Sequence, residues 1–359
     1  MNDFNFFDSK KKLKKLWLLE KLYQEPQLTQ YDLADEVGIT KGMVSRYIKE
    51  FKKEGLLANE GKYKLTKPGI SLLFELRKKY KNELAEMHKF INQERQKYQE
   101  LNISQIKIAA IKSLGAMIPF LARKLEVMSD YPVEFEVDYY QSGQHLMENF
   151  TSQNYDFGIL GIVPAFLWQA SGTTINIEAK VNDGGHAIIG RDWIHSLADL
   201  EGETVLVPEI NDSVSDNLLK KVSNQKDIHL KRVDFSDLGV NWKQLLTDKN
   251  SFSQVDAVLL WEPYISYILH TVDNFHLIYD FQNYHQDYSA NVLISNSKQI
   301  EVNIQEIIFE LFRETIDKIK KNKKEVINHL SEFFQMENSV INSALKRVEF
   351  KYSKKWEEK

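Results

Sequence analysis

One pattern occurs twice in this chain, one hundred residues apart, and it narrows the folds the chain can adopt. Asp156 is followed by the apolar run Phe157-Gly158-Ile159-Leu160-Gly161-Ile162-Val163 and then Pro164. Asp256 is followed by Ala257-Val258-Leu259-Leu260-Trp261, then Glu262 and Pro263. A run of this length and apolarity reads as a strand buried on both faces, and a proline just beyond it opens a helix. What precedes each copy also repeats. Before the first come strand 105–111, helix 115–128, strand 133–140 and helix 143–153. Before the second come strand 203–209, helix 213–224, strand 228–235 and helix 241–249. Strands alternating with helices predict a mainly parallel α/β sheet, and the repeat predicts two such lobes. The crossing strands would be 184–191, leading into the second lobe, and 289–297, leading back. Residues 304–350 read as helical.

The chain has 359 residues, so core burial is not limiting. It contains no Cys, which excludes a disulfide framework, a thiolate metal site and a Cys nucleophile. No apolar run reaches the roughly 18 residues of a membrane span. The N-terminal residues lack the continuous apolar segment and cleavage site of a signal peptide, so a cytoplasmic protein without membrane contact is expected. The net charge of −4 conceals an asymmetry. Residues 1–100 hold 21 Lys and Arg against 15 Asp and Glu, near +6, whereas the remainder holds 26 against 36, near −10. A polyanionic partner is therefore expected for the N-terminal part alone.

That part has helical periodicity. Leu13, Leu16, Trp17, Leu19 and Leu22 fall on one face. Thr29 is placed to cap a helix carrying Leu33, Ala34 and Val37, and Gly38 ends it. Thr40 caps the next, whose apolar residues are Val44, Tyr47, Ile48 and Phe51. Leu56-Leu57-Ala58 and Tyr63-Lys64-Leu65-Thr66 flank a turn at Asn59-Glu60-Gly61 and read as a hairpin. Helix, tight turn, helix, hairpin is the order of a winged helix-turn-helix. Through LADEVGITKGMVSRYIKEFKKEGLL and GKYKLTKPG, residues 10–70 resemble the MarR-like winged-helix regulators. The resemblance implies that the second helix of the motif enters the major groove of double-stranded DNA. It would present Lys41, Gly42, Ser45, Arg46 and Lys49 on the face opposite Val44 and Ile48, with Lys62 and Lys64 on the wing. Cationic side chains neutralise phosphates, and Arg can donate twice to guanine.

From Gly69 to Leu101, apolar residues recur at three- and four-residue steps without Pro or further Gly, which predicts a helix of about 30 residues, near 45 Å long. Its stripe can pack within one subunit or against a second copy. Readers of this type bind two half-sites as dimers, so a homodimer is expected. The expected organisation is a DNA-binding domain at 1–68, a linker and dimerisation helix at 69–102, and a ligand-binding domain at 103–359. Within the last, the first lobe spans about 103–185 and 295–359 and the second about 186–294.

Over roughly 104–300, YDFGILGIVPAFL, HSLADLEGETVLVPE and VDAVLLWEPYISYI resemble the periplasmic-binding-protein branch that takes alkanesulfonates, nitrate and thiamin pyrimidine precursors. That resemblance implies a two-lobed (type II) binding fold. Two departures stand out: Glu203 replaces the usual Lys, and the turn before the second lobe's first helix is INDSVSD.

In open α/β sheets, ligands sit beyond the carboxyl ends of strands, where helix N-termini offer N–H groups and partial positive charge. This nominates Ser113 and Leu114, Ser142 and Gly143, and the backbone of Gly161, Ile162 and Val163. In the second lobe it nominates Asn211, Asp212 and Ser213, then Trp261, Glu262 and Tyr264. His186, on the crossing strand, joins them. Trp261 or Tyr264 with Glu262 suits a flat, nitrogen-rich ring, whereas helix N-termini suit a sulfonate or phosphate. No cofactor, metal site or catalytic residue is expected. The alternative is an enzyme of pyrimidine-precursor metabolism on the same fold. The fungal pyrimidine synthases of this superfamily carry a Cys-rich motif, however, and this chain has no Cys. Nor does it contain a phosphate loop, an H-E-x-x-H or a G-x-S-x-G. The expectation is a DNA-binding regulator that senses a small-molecule effector.

Overall fold

The computed structural model describes residues 6–58, 63–80, 105–131, 133–234, 252–284, 291–297, 300 and 302–354. It divides into two compact units: residues 1–105 with 126–134, and residues 106–125 with 135–359.

The first unit contains helices α1 (Phe6–Gln24), α2 (Gln30–Val37), α3 (Lys41–Lys53) and α4 (Lys67–Lys79). Thr29 forms the expected cap of α2 and closes a capping box with Asp32, while Gly38 ends the helix at φ 63°. Thr40 caps α3 by accepting from Met43 N–H at 3.2 Å. Leu33, Val37, Val44, Tyr47, Ile48 and Phe51 form one core with α1 and with Leu57 and Leu65, the paired residues of the wing. Leu16, Trp17, Leu18 and Leu19 of α1 are all buried, so this helix is covered on more than the single face its spacing suggested. The helix expected over 69–102 is present to Lys79; the rest of it, the wing turn and Lys62 lie outside the described residues.

In the second unit the chain runs β1 (Gln105–Ile111), α5 (Ile118–Lys124), β2 (Glu134–Tyr140), α6 (Gly143–Phe150), β3 (Phe157–Gly161), α7 (Ile162–Ala170) and β4 (Ile175–Gly184). It continues with β5 (His186–Arg191), β6 (Thr204–Leu206), α8 (Val214–Lys226), β7 (Lys231–Val233), β8 (Ala257–Trp261), α9 (Tyr264–Thr271) and β9 (Phe275–Asp280). It closes with β10 (Asn291–Asn296), α10 (Val302–Lys321), α11 (Lys323–Phe334), α12 (Asn338–Ala344) and β11 (Val348–Lys354). The helix expected at 241–249 lies outside the described residues.

Two sheets result, ordered β11-β4-β10-β3-β1-β2 and β7-β6-β8-β5-β9. Both are mixed, which corrects the mainly parallel expectation. β1 runs parallel to β3, and β6 lies parallel to both β7 and β8. The strands entering each lobe from the other return antiparallel: β10 against β3, and β5 against β8. A strand that has just crossed between lobes needs no covering helix to re-enter a sheet, so nothing obliges it to run parallel. Residues 348–350, expected to be helical, begin β11 and pair with β4. The central parallel strands β3 and β8 are apolar throughout, and β3 is buried at every residue. Each fully buried Leu, Ile or Phe there contributes about 1.5–3 kcal/mol.

Candidate functional site

In the first unit, Lys41, Gly42 and Lys49 are exposed on α3, Ser45 and Arg46 are half-buried, and Lys64 is exposed beside the wing pairing. Val44, Tyr47 and Ile48 turn into the core, so the two faces separate as the spacing predicted. Lys41 lies 3.9 Å from the Tyr31 ring centroid. Arg46 is ion-paired with Glu126, in the 126–134 segment that packs with this unit. Nucleic acid contacting Arg46 must therefore displace a carboxylate.

In the second unit the two sheets face each other across a narrow cleft with about 40 Å³ of room inside it. Several contacts bind the lobes together around it. Leu114 N–H donates to the Glu262 carbonyl at 2.9 Å, and the Tyr264 hydroxyl donates to the Lys112 carbonyl at 3.2 Å. Arg347, from the turn between α12 and β11, reaches Glu262 and Asp280 of the second lobe at 3.2 Å each. The chain crosses at Gly184 and Gly185, whose φ values of 70° and 84° suit glycine. A Cβ on Gly184 would stand 2.4 Å from the Arg347 carbonyl oxygen.

Of the residues nominated from the sequence, Ser113, Ser142, Gly143, Gly161, His186, Ser213, Trp261 and Glu262 line this cleft. The other six do not. Leu114 and Tyr264 are buried in the lobe-to-lobe contacts just described. Ile162 and Val163 fall in the first turn of α7, away from the lining. Asn211 and Asp212 are exposed, because Asn211 takes φ 76° and its side chain accepts from Lys220 Nζ at 2.8 Å.

Glu262 lines the cleft in a different sense from the one expected. Its side chain is 1% exposed and already engaged by Ser266 N–H at 3.1 Å, Ser266 Oγ at 3.0 Å and Arg347. Burial pushes its carboxyl above the ordinary glutamate value in spite of those partners. Gly161 packs tightly: a Cβ there would stand 2.8 Å from Val214 Cγ2 of the opposite lobe.

Sequence reasoning missed three polar groups. Asn182 Oδ1 accepts from Asn291 N–H at 3.1 Å and from Asn291 Nδ2 at 2.9 Å, joining β4 to β10 at the cleft wall. Their separation of 109 residues left no local signal. Glu209, at φ 53°, lines the cleft from the second lobe, and the Ser142 hydroxyl of the first lobe favours its charged form. Burial pushes its carboxyl up, and Asp234 and Asp212 push it further, against the Ser142 bond. Among the described residues, no Lys or Arg lines the cleft and no cluster of His, Cys, Asp and Glu has the arrangement to hold a metal ion. No helix among them is long and apolar enough to cross a membrane.

Residues 18–58 match the family of winged helix-turn-helix DNA-binding domains. No curated protein matches the chain. Among solved structures, the chain is similar to the periplasmic aliphatic sulphonate binding protein of Escherichia coli, at 19% identity and TM-score 0.59, over 70% of this chain and 86% of that one. It is also similar to the alkanesulfonate-binding protein of Xanthomonas axonopodis pv. citri bound to MOPS, at 17% identity and TM-score 0.58, over the same shares. A Candida albicans protein with the generic periplasmic-binding-protein fold aligns at 16% identity and TM-score 0.54, over 69% of this chain and 82% of that one. At such identities the likeness establishes fold. The chain therefore joins a winged helix-turn-helix DNA-binding module to a two-sheet α/β unit with the periplasmic-binding-protein-like fold.

Proposed function

We propose that this chain is a ligand-responsive transcriptional regulator acting in the cytoplasm as a homodimer on a double-stranded DNA operator. One observation carries the reading: a DNA-binding module and a binding-protein-like cleft occupy the same chain. Lys41, Lys49 and Lys64 would contact phosphates, and Arg46, once released from Glu126, a base edge or phosphate. In the second unit the effector enters between the lobes, a thiamin-type pyrimidine, a sulfonate or a similar small metabolite. The sulfonate class enters because two of the similar structures are named for binding sulfonates. A ligand touching both lobes favours the closed arrangement only by its differential affinity, and the same free energy must appear as a changed affinity for DNA.

The test begins with selection of DNA sites by the full chain from a random pool. Affinity for the enriched site is then measured with and without small metabolites that raise the melting temperature. The expected result is an enriched two-half-site sequence and an affinity that changes at least fivefold with a stabilising metabolite. Failure to enrich any sequence removes the regulator reading; enrichment with affinity indifferent to every stabilising metabolite removes the sensor.

A further inference from the structure

Charge separates the two effector classes left open above. The cleft walls hold two carboxylates and one imidazole, His186, but among the described residues no Lys or Arg. Arg347 offsets one of them, Glu262, from behind the wall. The other, Glu209, has only a hydroxyl across from it, and its charged neighbours Asp212 and Asp234 are acidic too. Trp261 lines the same space, its ring set edge-on to Tyr264 at 6.3 Å. A carboxylate with no Lys or Arg against it among the described residues, in a cleft that an indole also lines, is the pairing that attracts a cation or a strong N–H donor.

The helix ends at the cleft first suggest the opposite charge, since the N-termini of α6, α7 and α8 all carry partial positive charge. Two of them are already engaged. Ser142 caps α6 by accepting from His145 N–H at 3.2 Å, and its hydroxyl stabilises the Glu209 carboxylate. The protein thus supplies the anion at that helix end from the opposite lobe. Ser213 caps α8 by accepting from Asp216 N–H at 3.1 Å and donates to the Pro208 carbonyl at 2.6 Å. Gly161, at the head of α7, faces the Val214 side chain. A sulfonate entering here would meet a resident carboxylate with no Lys or Arg on the described wall to offset it.

We infer that the effector presents a nitrogen donor, a protonated amine or the amino edge of a small heterocycle, to the Glu209 carboxylate beside Trp261, and that the cleft rejects anions. Glu209 is then the residue that sets ligand class. The inference rests on the sensor reading and narrows it.

Calorimetric titration of the full chain at neutral pH tests it with two sets of probes. The nitrogen set is 4-amino-5-hydroxymethyl-2-methylpyrimidine, adenine and agmatine; the anion set is ethanesulfonate, nitrate and inorganic phosphate. Binding is expected from the nitrogen set alone. Glu209→Gln, which keeps the shape and can still accept from Ser142, should weaken it at least tenfold. Trp261→Leu should weaken it about threefold, with both variants' melting curves recorded to establish folding. Binding of the anion set alone, or nitrogen-set binding untouched by Glu209→Gln, overturns the inference and leaves the sensor reading standing. Binding from neither set overturns the inference, and the sensor reading is then decided by the DNA-affinity test above.

Discussion

Asp156 and Asp256 make the same three hydrogen bonds, one in each lobe. The Asp156 side chain accepts from Lys107 N–H at 2.8 Å, its N–H donates to the Lys107 carbonyl at 3.0 Å, and its carbonyl accepts from Asn296 N–H at 3.0 Å. The Asp256 side chain accepts from Thr204 N–H, its N–H donates to the Thr204 carbonyl, and its carbonyl accepts from Arg191 N–H, each at 2.9 Å. The sheets agree as well: β2-β1-β3-β10-β4 in one lobe answers β7-β6-β8-β5-β9 in the other. The lobes differ where those strands end. The first brings Gly115, Gly143 and Gly161 to the cleft beside Ile111 and Pro164, with no charged side chain among the described residues, whereas the second brings Glu209, Trp261 and Glu262. Counting from the shared aspartate bonds, the position of Glu209 is held in the first lobe by Lys112, which does not line the cleft. A common frame with unequal ends lets one lobe serve as a close-fitting wall and the other supply the recognising groups.

The inequality is greatest at the buried charge, which has no counterpart in the first lobe. Arg347→Ala leaves Glu262 buried with only Ser266 as a donor, and breaking such a pair costs about 3–5 kcal/mol. Urea unfolding of this variant should show a loss at the lower end of that range, because the raised pKa of Glu262 lets it neutralise. The double variant Arg347→Met, Glu262→Gln should recover most of it. A loss under 1 kcal/mol would show that the pair is not the charge balance assigned to it.

The shared frame makes the opposite kind of prediction, that two substitutions have equal effects. Asp156→Ala and Asp256→Ala each strand a strand N–H, at about 1–3 kcal/mol. Similar losses in thermal unfolding sustain the equivalence of the lobes, and one silent substitution breaks it.

The frame was legible in sequence because it is local. Thr29, Gly38 and Thr40 announce helix ends through their own backbone chemistry, and the apolar runs of β3 and β8 announce buried strands. β4 was not, since Glu178, Lys180, Asn182 and Asp183 interrupt any alternation and its pairing with β10 shifts register. β9 was missed for a similar reason, with exposed Leu277 between His276 and Ile278. At the cleft, residues at strand ends were found, His186, Trp261 and Glu262 among them, whereas Glu209 and the paired Asn182 and Asn291 were not. Glu209 reaches Ser142 only because the lobes approach, and Asn182 meets Asn291 only through antiparallel return.

Gly161 tests that approach directly. It was read from sequence as backbone for a ligand's polar edge, and the structure places it against Val214. Gly161→Ala puts a methyl 2.8 Å from Val214 Cγ2, and overpacking of this kind costs about 1–3 kcal/mol. The low end is expected, since the lobes can separate slightly. Small-angle scattering should show a larger radius of gyration, and Val214→Ala should restore both size and stability. If Gly161→Ala alters neither, the first lobe is not the close-fitting wall.

The smallest effect belongs to Glu209, and its sign is determined. Burial, with Asp234 and Asp212, raises its pKa in the folded chain above the ordinary value of 4.5, so the folded state holds this proton more tightly than the unfolded one. The resulting stability is fully present below the unfolded pKa and is lost as pH rises through the folded pKa. Glu209→Gln removes the titration while keeping an acceptor for Ser142. The difference in melting temperature between the two proteins should therefore shift in favour of the variant as pH rises through that window and be flat above it. A nitrogen-bearing ligand reverses the preference, because pairing with the carboxylate lowers the same pKa. The wild-type chain should then bind such a probe more tightly as pH rises across the window, with proton release measurable by calorimetry in buffers of different ionisation enthalpy. A flat difference curve would mean that Glu209 is solvated like an ordinary surface carboxylate, and the asymmetry between the lobes would then rest on Trp261 and Glu262 alone.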